Sequence, residues 1–586
     1  MYENLKDKKP IDTIRDIKMI FKKLNVELEE NWLNPIDGVY SLNLRIIGTN
    51  LVSNGKGINP DLALASAYAE MLERVQEGIP FRLLDSFNLF KNVNVNSVII
   101  DDEKVIQEYI LSYLYNYDIL SESGIEVFLK HFMDLIYQMP VQEIISYKTF
   151  EGSNIKLPGL FVDTFYGSNG IAAGNTKYES LNQAIFEIIE RYTIKKILNR
   201  EMTKFSDITE FIRDNYNDLS FRISDLEEYG LSIKIIDTSF EYGLPTIIVL
   251  LIDKHKKRYF ASCGCHANLK IAIERSVTEI FQGRTIDDLK STMTSLSASV
   301  NDKFEENYNS IFINGEGAYP HILFNFESMH TYPGDVWDKL SNLKSNKCIW
   351  EFISNILYKL GYEIMVANHS KTGFFTYQII VPEMSEVTNY SNYEFIKDFN
   401  DTIKVKKILC KNKNTIDDNE VELLISYFTK YKFKKEYVLS EFIILPIEND
   451  KLTSLDGINI DLLLSVCYAY KENYVKARDV LKSYYEEISK YCYDPHILNY
   501  YDIAINIYNL KSQDYNDIEI TNILKNFYSI EEIKEVIKDL IKDKLFLNIP
   551  YIPCVCSSFC DKKCHLYKEC NIKNYIDVYK KINSCC

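Results

Sequence analysis

Two segments of this 586-residue chain repeat the same order of chemically useful residues. In the first, SNGKG at positions 53–57 precedes a helical pattern with an E-x-x-E-R motif at 70–74. In the second, SNG at 168–170 precedes a helical pattern with the same motif at 187–191. Serine and arginine are 21 residues apart in the first copy and 23 in the second. This order predicts two similar units, each with a glycine turn and an acidic helix, facing one site.

Each predicted helix carries its polar residues on one face, because residues three and four apart point the same way. Ser66, Glu70 and Glu73 lie within about 60° of one another on the first helix. The second helix carries a polar stripe over three turns, made of Glu179, Gln183, Glu187 and Glu190. Crowded carboxylates repel one another unless a cation lies among them. Mg²⁺ is the predicted cation, since it takes oxygen ligands and bridges carboxylates to nucleotide phosphates.

The alternative is that these motifs have no function. Either E-x-x-E-R motif alone is more often a solvated helix face, and an SNG turn is an ordinary loop. The joint order of both copies favours a site, in which backbone amides, Lys56 and the two arginines would contact phosphates. The chain contains no GxxxxGK[ST] motif, which removes the commonest competing type of ATP site.

A third segment follows a predicted strand and enters another polar helix, with Glu274, Arg275, Glu279 and Gln282. Gly283 is predicted to end this helix, so that Arg284 projects from the helix end and can reach a phosphate. We interpret His266 as structural rather than catalytic, because no nucleophile or carboxylate has a clear sequence relation to it. Cys263 and Cys265 are expected to lie on a buried strand, as residues of the protein core.

The elements that must position these residues form an α/β pattern, in which short β-branched strands alternate with amphipathic helices. Strands are predicted at 233–240, 246–253 and 259–264. The helix-rich stretch 101–134 is predicted to be an inserted or connecting unit. Strand signals vanish from 461 to 544, where consecutive helices fit a generic bundle and tetratricopeptide-like units equally well. The predicted regions are therefore 1–455, a helical domain at 456–549, and a Cys-rich tail at 550–586.

Charge and hydropathy exclude several classes of protein. The net charge of −16 opposes binding to nucleic acid or to anionic membranes. The longest strongly apolar run, 246–252, is far shorter than the roughly 20 residues of a membrane helix. The N-terminus is charged and lacks the pattern of a secretory signal. A cytoplasmic protein is therefore expected, and a homodimer is the expected assembly.

Thirteen cysteines in a chain without a secretory signal favour thiols or metal ligands over disulfides. A group of them lies in the tail, beside His565: Cys554, Cys556, Cys560, Cys564 and Cys570. A zinc or iron–sulfur site, a redox-active thiol tail and the absence of any function are all open for this segment. The regular CxxC pairs of a zinc ribbon are missing.

Together these segments resemble a known family. The blocks that begin at SNGKG (53–57), SNGIAAGN (168–175) and GCHANLK (264–270) are similar to the three signature blocks of the YcaO family. The resemblance extends to WLNP (32–35) and QIIVPEMSE (378–386), and so covers about residues 20 to 450. It implies a catalytic core of mixed sheets and helices.

The resemblance also implies site residues and an activity. Its nucleotide site would consist of Lys56, Ser66, Asn175, Glu179, Arg191 and Arg284, with Mg²⁺ held by Glu70, Glu73, Glu187 and Glu190. The implied chemistry is ATP-driven activation of a peptide or protein backbone amide, whose oxygen is phosphorylated while a nucleophile adds to the carbon. The product would be a thioamide, an azoline or a related group, and no residue is assigned as the catalytic one.

Chain length and the helical C-terminal region resemble the long bacterial members of this family, which are associated with methylthiolation of a small-subunit ribosomal protein. That protein is one expected substrate, with a sulfur donor or a methylthiotransferase as partner. Peptide cyclodehydration is disfavoured, because the chain lacks the PxPxP ending of azoline-forming members. Two other hypotheses stay open: an ATP-binding accessory factor for methylthiolation without chemistry of its own, and a nucleotide-independent scaffold.

Overall fold

The computed structural model describes most of the chain. The continuous ranges are 6–49, 51–78, 103–117, 144–239, 243–298, 304–328, 335–387, 415–430, 459–489 and 494–548. Scattered positions are described between 124 and 133, at 300, between 401 and 411, and between 574 and 581. The predicted boundaries at 455/456 and 549/550 and the cysteines from 554 to 570 lie outside these residues. Within them, no helix has the length and apolarity needed to cross a bilayer.

The N-terminal unit packs two helices on a three-stranded antiparallel sheet. Its elements are helix α1 (Pro10–Lys23), strands β1 (Leu28–Ile36), β2 (Val39–Ile46) and β3 (Val52–Gly57), and helix α2 (Pro60–Glu77). Asn59 caps α2 by accepting a hydrogen bond from the Leu62 amide, and Pro60 suits the first helical turn. The end of the chain reaches this unit, because Val578 is buried in its core and Asn574 Nδ2 donates to Gly48 O at 2.5 Å.

The predicted glycine turn at 53–57 is wrong, because this segment is strand β3, paired antiparallel with β2. Its glycines are required by the close approach of α2. A Cβ at Gly55 would lie 2.2 Å from Ala63 O, and one at Gly57 would lie 2.6 Å from Ala63 N. The second segment contains the expected turn: Gly170 has φ +76, which favours glycine, and strand β6 follows it.

A five-stranded antiparallel sheet has the order β5-β4-β13-β14-β6. Its strands are β4 (Ile144–Thr149), β5 (Asn154–Pro158), β6 (Ile171–Gly174), β13 (Met365–Asn368) and β14 (Phe375–Ile380). Among the described elements, the helices that accompany it in the chain are α3 (Glu103–Asn116), α4 (Gly159–Tyr166) and α5 (Lys177–Leu198). Ile110 of α3 shares a core with Tyr147 of β4, so the described part of the predicted insertion packs on this sheet.

A six-stranded sheet has the order β11-β10-β9-β8-β7-β12, and only its β7–β12 pair is parallel. The strands are β7 (Ser206–Asp207), β8 (Ser232–Asp237), β9 (Thr246–Asp253), β10 (Arg258–Cys265), β11 (Thr294–Ser295) and β12 (Glu327–Ser328). Strands β8, β9 and β10 lie where the β-branched runs predict them. Helices follow in chain order: α6 (Thr209–Asn215), α7 (Asn217–Glu228), α8 (Leu269–Ile280), α9 (Ile286–Thr292), α10 (Phe304–Asn314), α11 (Asp335–Ser341) and α12 (Asn346–Lys359).

The described C-terminal region contains consecutive helices around one apolar core, which also includes Leu424 and Phe428 of the predicted region 1–455. The helices are α13 (Asp418–Lys430), α14 (Ile460–Tyr470), α15 (Tyr474–Ile488), α16 (Pro495–Lys511), α17 (Asp517–Leu524), α18 (Ile530–Asp539) and α19 (Leu545–Asn548). Capping boxes at Asn516 and Ser529 start α17 and α18. The tetratricopeptide-like class stays a prediction.

Candidate functional site

One cavity of about 860 Å³ is lined by every residue predicted for the nucleotide and Mg²⁺ sites. This volume lies within the roughly 300–1,000 Å³ of ligand pockets. The predicted residues that line it are Lys56, Ser66, Glu70, Glu73, Asn175, Glu179, Glu187, Glu190, Arg191 and Arg284. Helices α2 and α5 contribute most of these predicted residues, and helix α8 and strands β6 and β10 contribute further parts of the wall. The tertiary structure therefore brings together side chains that are more than 200 residues apart in the chain.

Helix α2 presents its predicted face to the cavity. Ser66, Glu70 and Glu73 all line it. Glu70 Oε1 pairs with Arg74 Nη2 at 2.6 Å one turn away, and Glu73 Oε2 accepts a hydrogen bond from the Ala173 amide at 3.2 Å. The second contact joins the acidic face of α2 to strand β6, which leads into α5.

Helix α5 presents the other polar stripe, and its four members Glu179, Gln183, Glu187 and Glu190 line the same cavity. Thr176 caps the helix by accepting from the Glu179 amide at 3.2 Å. Glu187 Oε1 pairs with Arg191 Nη2 at 3.1 Å, which repeats the Glu70–Arg74 pair of α2. The guanidinium carbon of Arg191 also lies 5.9 Å from the centre of the Phe312 ring.

Burial and mutual repulsion raise the pKa values of these carboxyl groups. The pKa of Glu73 lies well above its ordinary value, first because of burial and then because of the charges of Glu187 and Glu70. Burial also raises the pKa of Glu187 and of Glu190, against the opposing effects of nearby arginines. A cation among these groups would relieve both causes, because it favours the ionised form.

The donor set fits Mg²⁺ without forming a closed cage. The four carboxylates predicted as metal ligands face one cavity, and oxygen donors are what Mg²⁺ prefers. Within the described residues, however, no three His, Cys, Asp or Glu side chains converge closely enough to hold an ion together. Mg²⁺ usually takes only one or two protein carboxylates and completes its shell with water and phosphate oxygens. An open set of paired carboxylates therefore suits a metal that arrives with a nucleotide.

Lys56 connects strand β3 to helix α8. Its ammonium group pairs with Glu279 and donates to Gln282 Oε1 at 3.0 Å. Gln282 Nε2 in turn donates to Asn54 O at 3.1 Å. Burial is the main reason that the pKa of Lys56 falls to about 8. Loss of water around the ammonium group disfavours its charged form, and the nearby carboxylates offset only part of that effect.

The N-terminal segment completes the wall around Asn175 and Glu179, and the sequence motifs did not predict this. Asn175 Nδ2 donates to Glu179 Oε1 at 3.1 Å, while Asn175 Oδ1 accepts from Thr13 Oγ1 at 2.8 Å. Lys6 Nζ lies 3.3 Å from Glu179 Oε1, and the Asp7 amide donates to Glu179 Oε2 at 3.0 Å. The charged N-terminus carries no motif, so only the packing of α1 on α2 reveals its part in the cavity.

Arg284 lies where the third segment predicts it. Helix α8 ends at Ile280 with Phe281 as its C-cap, so the predicted end at Gly283 is three residues too late. Gly283, with φ +70, belongs to the turn that precedes Arg284. Its Nη2 pairs with Glu316 Oε1 at 3.0 Å, and its Nη1 donates to Ile280 O at 3.3 Å. The guanidinium carbon also lies 5.2 Å from the centre of the Phe260 ring. These contacts hold the guanidinium at the wall of the cavity.

His266 and the two cysteines of β10 show the features of structural residues. His266 Nδ1 accepts from the Asn268 amide at 3.0 Å, and burial, then Arg275, lowers its pKa well below the ordinary value. Cys263 and Cys265 are buried, and burial raises the pKa of each thiol. A neutral imidazole and protonated thiols agree with the structural interpretation, although His266 and Cys263 both border the cavity.

Comparison with known proteins gives a match to the part of the chain that forms the cavity. The family model described as YcaO cyclodehydratase, ATP- and Mg²⁺-binding, matches residues 54–385, which include β3, α2, α5 and α8. The fold and the cavity thus define a class of α/β protein with two acidic helices around one polar site. The chain belongs to the YcaO family.

Two curated relatives match the same part of the chain. An uncharacterized protein of Haemophilus influenzae is 28% identical over 395 residues. The ribosomal protein S12 methylthiotransferase accessory factor YcaO of Escherichia coli is 27% identical over 394 residues. Each alignment covers 64% of this chain and 65% of the relative, so the chain matches just under two thirds of either relative's length.

Solved structures show more distant similarity. A heterocyclase in complex with substrate and cofactor has a TM-score of 0.41 and 17% identity, covering 65% of this chain and 53% of that one. YcaO from Methanopyrus kandleri, bound with AMPPCP and Mg²⁺, has a TM-score of 0.40 and 12% identity, covering 67% of this chain and 94% of that one.

Proposed function

We propose that this protein binds Mg-ATP in the cavity between α2, α5 and α8 and uses it to activate a backbone amide of a peptide or protein. The observation that carries the proposal is the convergence of both acidic helices on one cavity, with the carboxylates of Glu70, Glu73, Glu187 and Glu190 facing it. Membership of a family described as ATP- and Mg²⁺-binding supports the choice of ligand.

The acidic side chains and the cations take different roles in this proposal. The four glutamates would hold Mg²⁺, which supplies charge neutralisation for the phosphates. The nucleotide would be bound by Lys56, Ser66, Asn175, Glu179, Arg191 and Arg284. We add Lys6 and Thr13, because both contact the Asn175–Glu179 pair.

The reaction needs little covalent chemistry from the protein. The amide oxygen attacks the γ-phosphorus as a nucleophile adds to the amide carbon. The bond from γ-phosphorus to the bridging oxygen breaks, and ADP leaves with the electron pair. The added nucleophile or the amide nitrogen then loses a proton to solvent, and the freed electron pair forms a double bond to the carbon. The C–O bond of the adduct breaks at the same time, so that phosphate departs with the former amide oxygen and the electron pair of that bond. Such a transfer requires that the reacting groups be positioned and that the charge of the phosphates be neutralised. We assign both roles to the half-buried Arg191 and Arg284 and to Lys56.

Calorimetry with Mg-ATP tests the site. Glu70→Gln and Glu187→Gln each remove one carboxylate charge from the cavity, and we expect at least a tenfold loss of affinity for Mg-ATP. Glu29→Gln is the matched control, because Glu29 forms an exposed 2.6 Å pair with Arg45 outside the cavity. Parental affinity in both cavity variants would refute the metal assignment.

Oxygen tracing tests the chemistry. A peptide whose amide oxygen is ¹⁸O should pass the label to released phosphate, and mass measurement of the peptide should show the replaced group. The small-subunit ribosomal protein is the first substrate to try, since one relative is described as an accessory factor for methylthiolation of ribosomal protein S12.

The second candidate function is that of an ATP-binding accessory factor for such a methylthiotransferase, favoured by the description of the same relative. Mg-ATP binding with capture of a methylthiotransferase, and without label transfer to phosphate on any substrate, would support it. The third hypothesis, a nucleotide-independent scaffold, requires that the parent protein bind no Mg-ATP. A sulfur donor, a homodimer and a metal in the cysteine-rich tail stay predictions.

A further inference from the structure

Arg275 differs from the other cations of the cavity. Six cationic side chains at its wall form ion pairs with described residues: Lys6 with Glu179, Lys8 with Asp16, Lys56 with Glu279, Arg74 with Glu70, Arg191 with Glu187, and Arg284 with Glu316. Arg275 lines the same cavity and is half-buried there. Among the residues that the structure describes, its guanidinium has no ion pair and no hydrogen bond.

The contacts of Lys56 explain why the Arg275 guanidinium pairs with no carboxylate of the described residues. Arg275 and Glu279 lie one turn apart on α8, a spacing at which opposite charges usually pair. Here Glu279 pairs with Lys56, which reaches it from strand β3, and Gln282 accepts a hydrogen bond from the same ammonium group. The carboxylate that would hold Arg275 in an isolated helix is thus occupied by a residue of another element.

The surroundings of Arg275 are the predicted metal ligands. Of the cations near Glu190, Arg275 most strongly favours the ionised carboxylate, and it also acts on Glu187. A metal that joins these carboxylates to a nucleotide brings phosphate oxygens to the same part of the cavity. A guanidinium that pairs with no carboxylate among the described residues is therefore placed beside the expected phosphate chain.

We propose that Arg275 binds the γ-phosphoryl group of the nucleotide while it is transferred to the amide oxygen. This assignment rests on the proposed function and adds to it a residue that neither E-x-x-E-R motif contains. A guanidinium offers donors in a rigid fork that matches two phosphate oxygens. As the bond from γ-phosphorus to the bridging oxygen breaks, charge spreads over these oxygens, and a fixed cation stabilises it.

The test compares two nucleotides that differ in the γ-phosphoryl group. Calorimetry of the full-length protein with Mg-ADP and with Mg-AMPPNP measures both affinities for the parent, for Arg275→Gln and for the control Arg45→Gln. Arg45 is an exposed arginine of β2 outside the cavity. We expect Arg275→Gln to lose about tenfold or more in affinity for Mg-AMPPNP and less than threefold for Mg-ADP, while Arg45→Gln retains both affinities.

Other results would overturn the assignment. An equal loss for both nucleotides would mean that Arg275 only neutralises Glu190 and Glu187, and unchanged affinities would mean that it binds no phosphate. If Arg275→Gln does not fold, Arg275→Lys replaces it. A smaller but still selective loss is then expected, because an ammonium group lacks the forked donors, and parental affinity for both nucleotides would refute the proposal. A parent protein that binds neither nucleotide refutes instead the proposed function.

Discussion

Replacing Gly55 by alanine tests whether the close contact of β3 with α2 positions the acidic face of the helix. An added Cβ would lie 2.2 Å from Ala63 O and 2.6 Å from Ala67 Cβ. Ordinary contacts begin at 3.4 Å, so strand and helix must separate by about 1 Å. Glu70 and Glu73 lie on that helix and would move with it, away from their counterparts on α5.

This separation is expected to lower both the free energy of unfolding and the affinity for Mg-ATP. Overpacking of this kind lowers the free energy of unfolding by about 1–3 kcal/mol. Displacement of reacting groups by about 1 Å costs on the order of 100-fold in rate. We therefore expect Gly55→Ala to fold with reduced stability and to lose at least tenfold in affinity for Mg-ATP, since carboxylates and phosphates must meet one metal.

Gly78→Ala is the matched control, because Gly78 ends the same helix in the left-handed region, with φ +92, and a Cβ there would lie within 4 Å of no atom of the described residues. The backbone strain costs about 1–2 kcal/mol but moves no cavity residue. Urea unfolding measures stability, and calorimetry measures Mg-ATP affinity. If Gly55→Ala is destabilised as expected but binds Mg-ATP like Gly78→Ala, the reasoning about position is refuted.

Further predictions concern charge in the cavity. Since the pKa of Glu73 is raised above 4.5 in the folded state, the folded metal-free protein binds more protons, and its stability should fall as pH rises above 4.5. Glu73→Gln should flatten this decline in urea unfolding, and an unchanged slope would contradict it. The pKa of Lys56 falls from 10.5 to about 8 on folding, so its contribution to stability rises between pH 8 and 10.5. Lys56→Met should remove this rise, which unfolding over the same pH range would detect. Glu316→Gln should weaken Mg-ATP binding several-fold by releasing Arg284, with recovery in Glu316→Asp, and equal affinity in all three proteins would exclude that positioning role.

Local periodicity was sufficient to predict much of the fold. The β-branched run at 246–253 is strand β9, and the polar stripe from Glu179 to Glu190 faces one side of α5. Both predictions depend only on side-chain spacing within one element, which is set by the 3.6-residue turn of a helix and the two-residue repeat of a strand. The recurrence of one motif on two helices was likewise enough to predict that their glutamates face one cavity.

The tertiary structure decided what the motifs could not. SNGKG at 53–57 has the composition of a turn, yet it is a strand, because the glycines permit α2 to approach at a distance that no side chain allows. Lys6 and Thr13 join the cavity through contacts that span more than 160 residues. A contact between distant residues also pairs Glu279 with Lys56 of β3 and not with Arg275, which lies one turn away on the same helix. Periodicity along a chain determines which face of an element is polar, whereas the partner of each charge depends on which elements pack together, and long-range packing decides that.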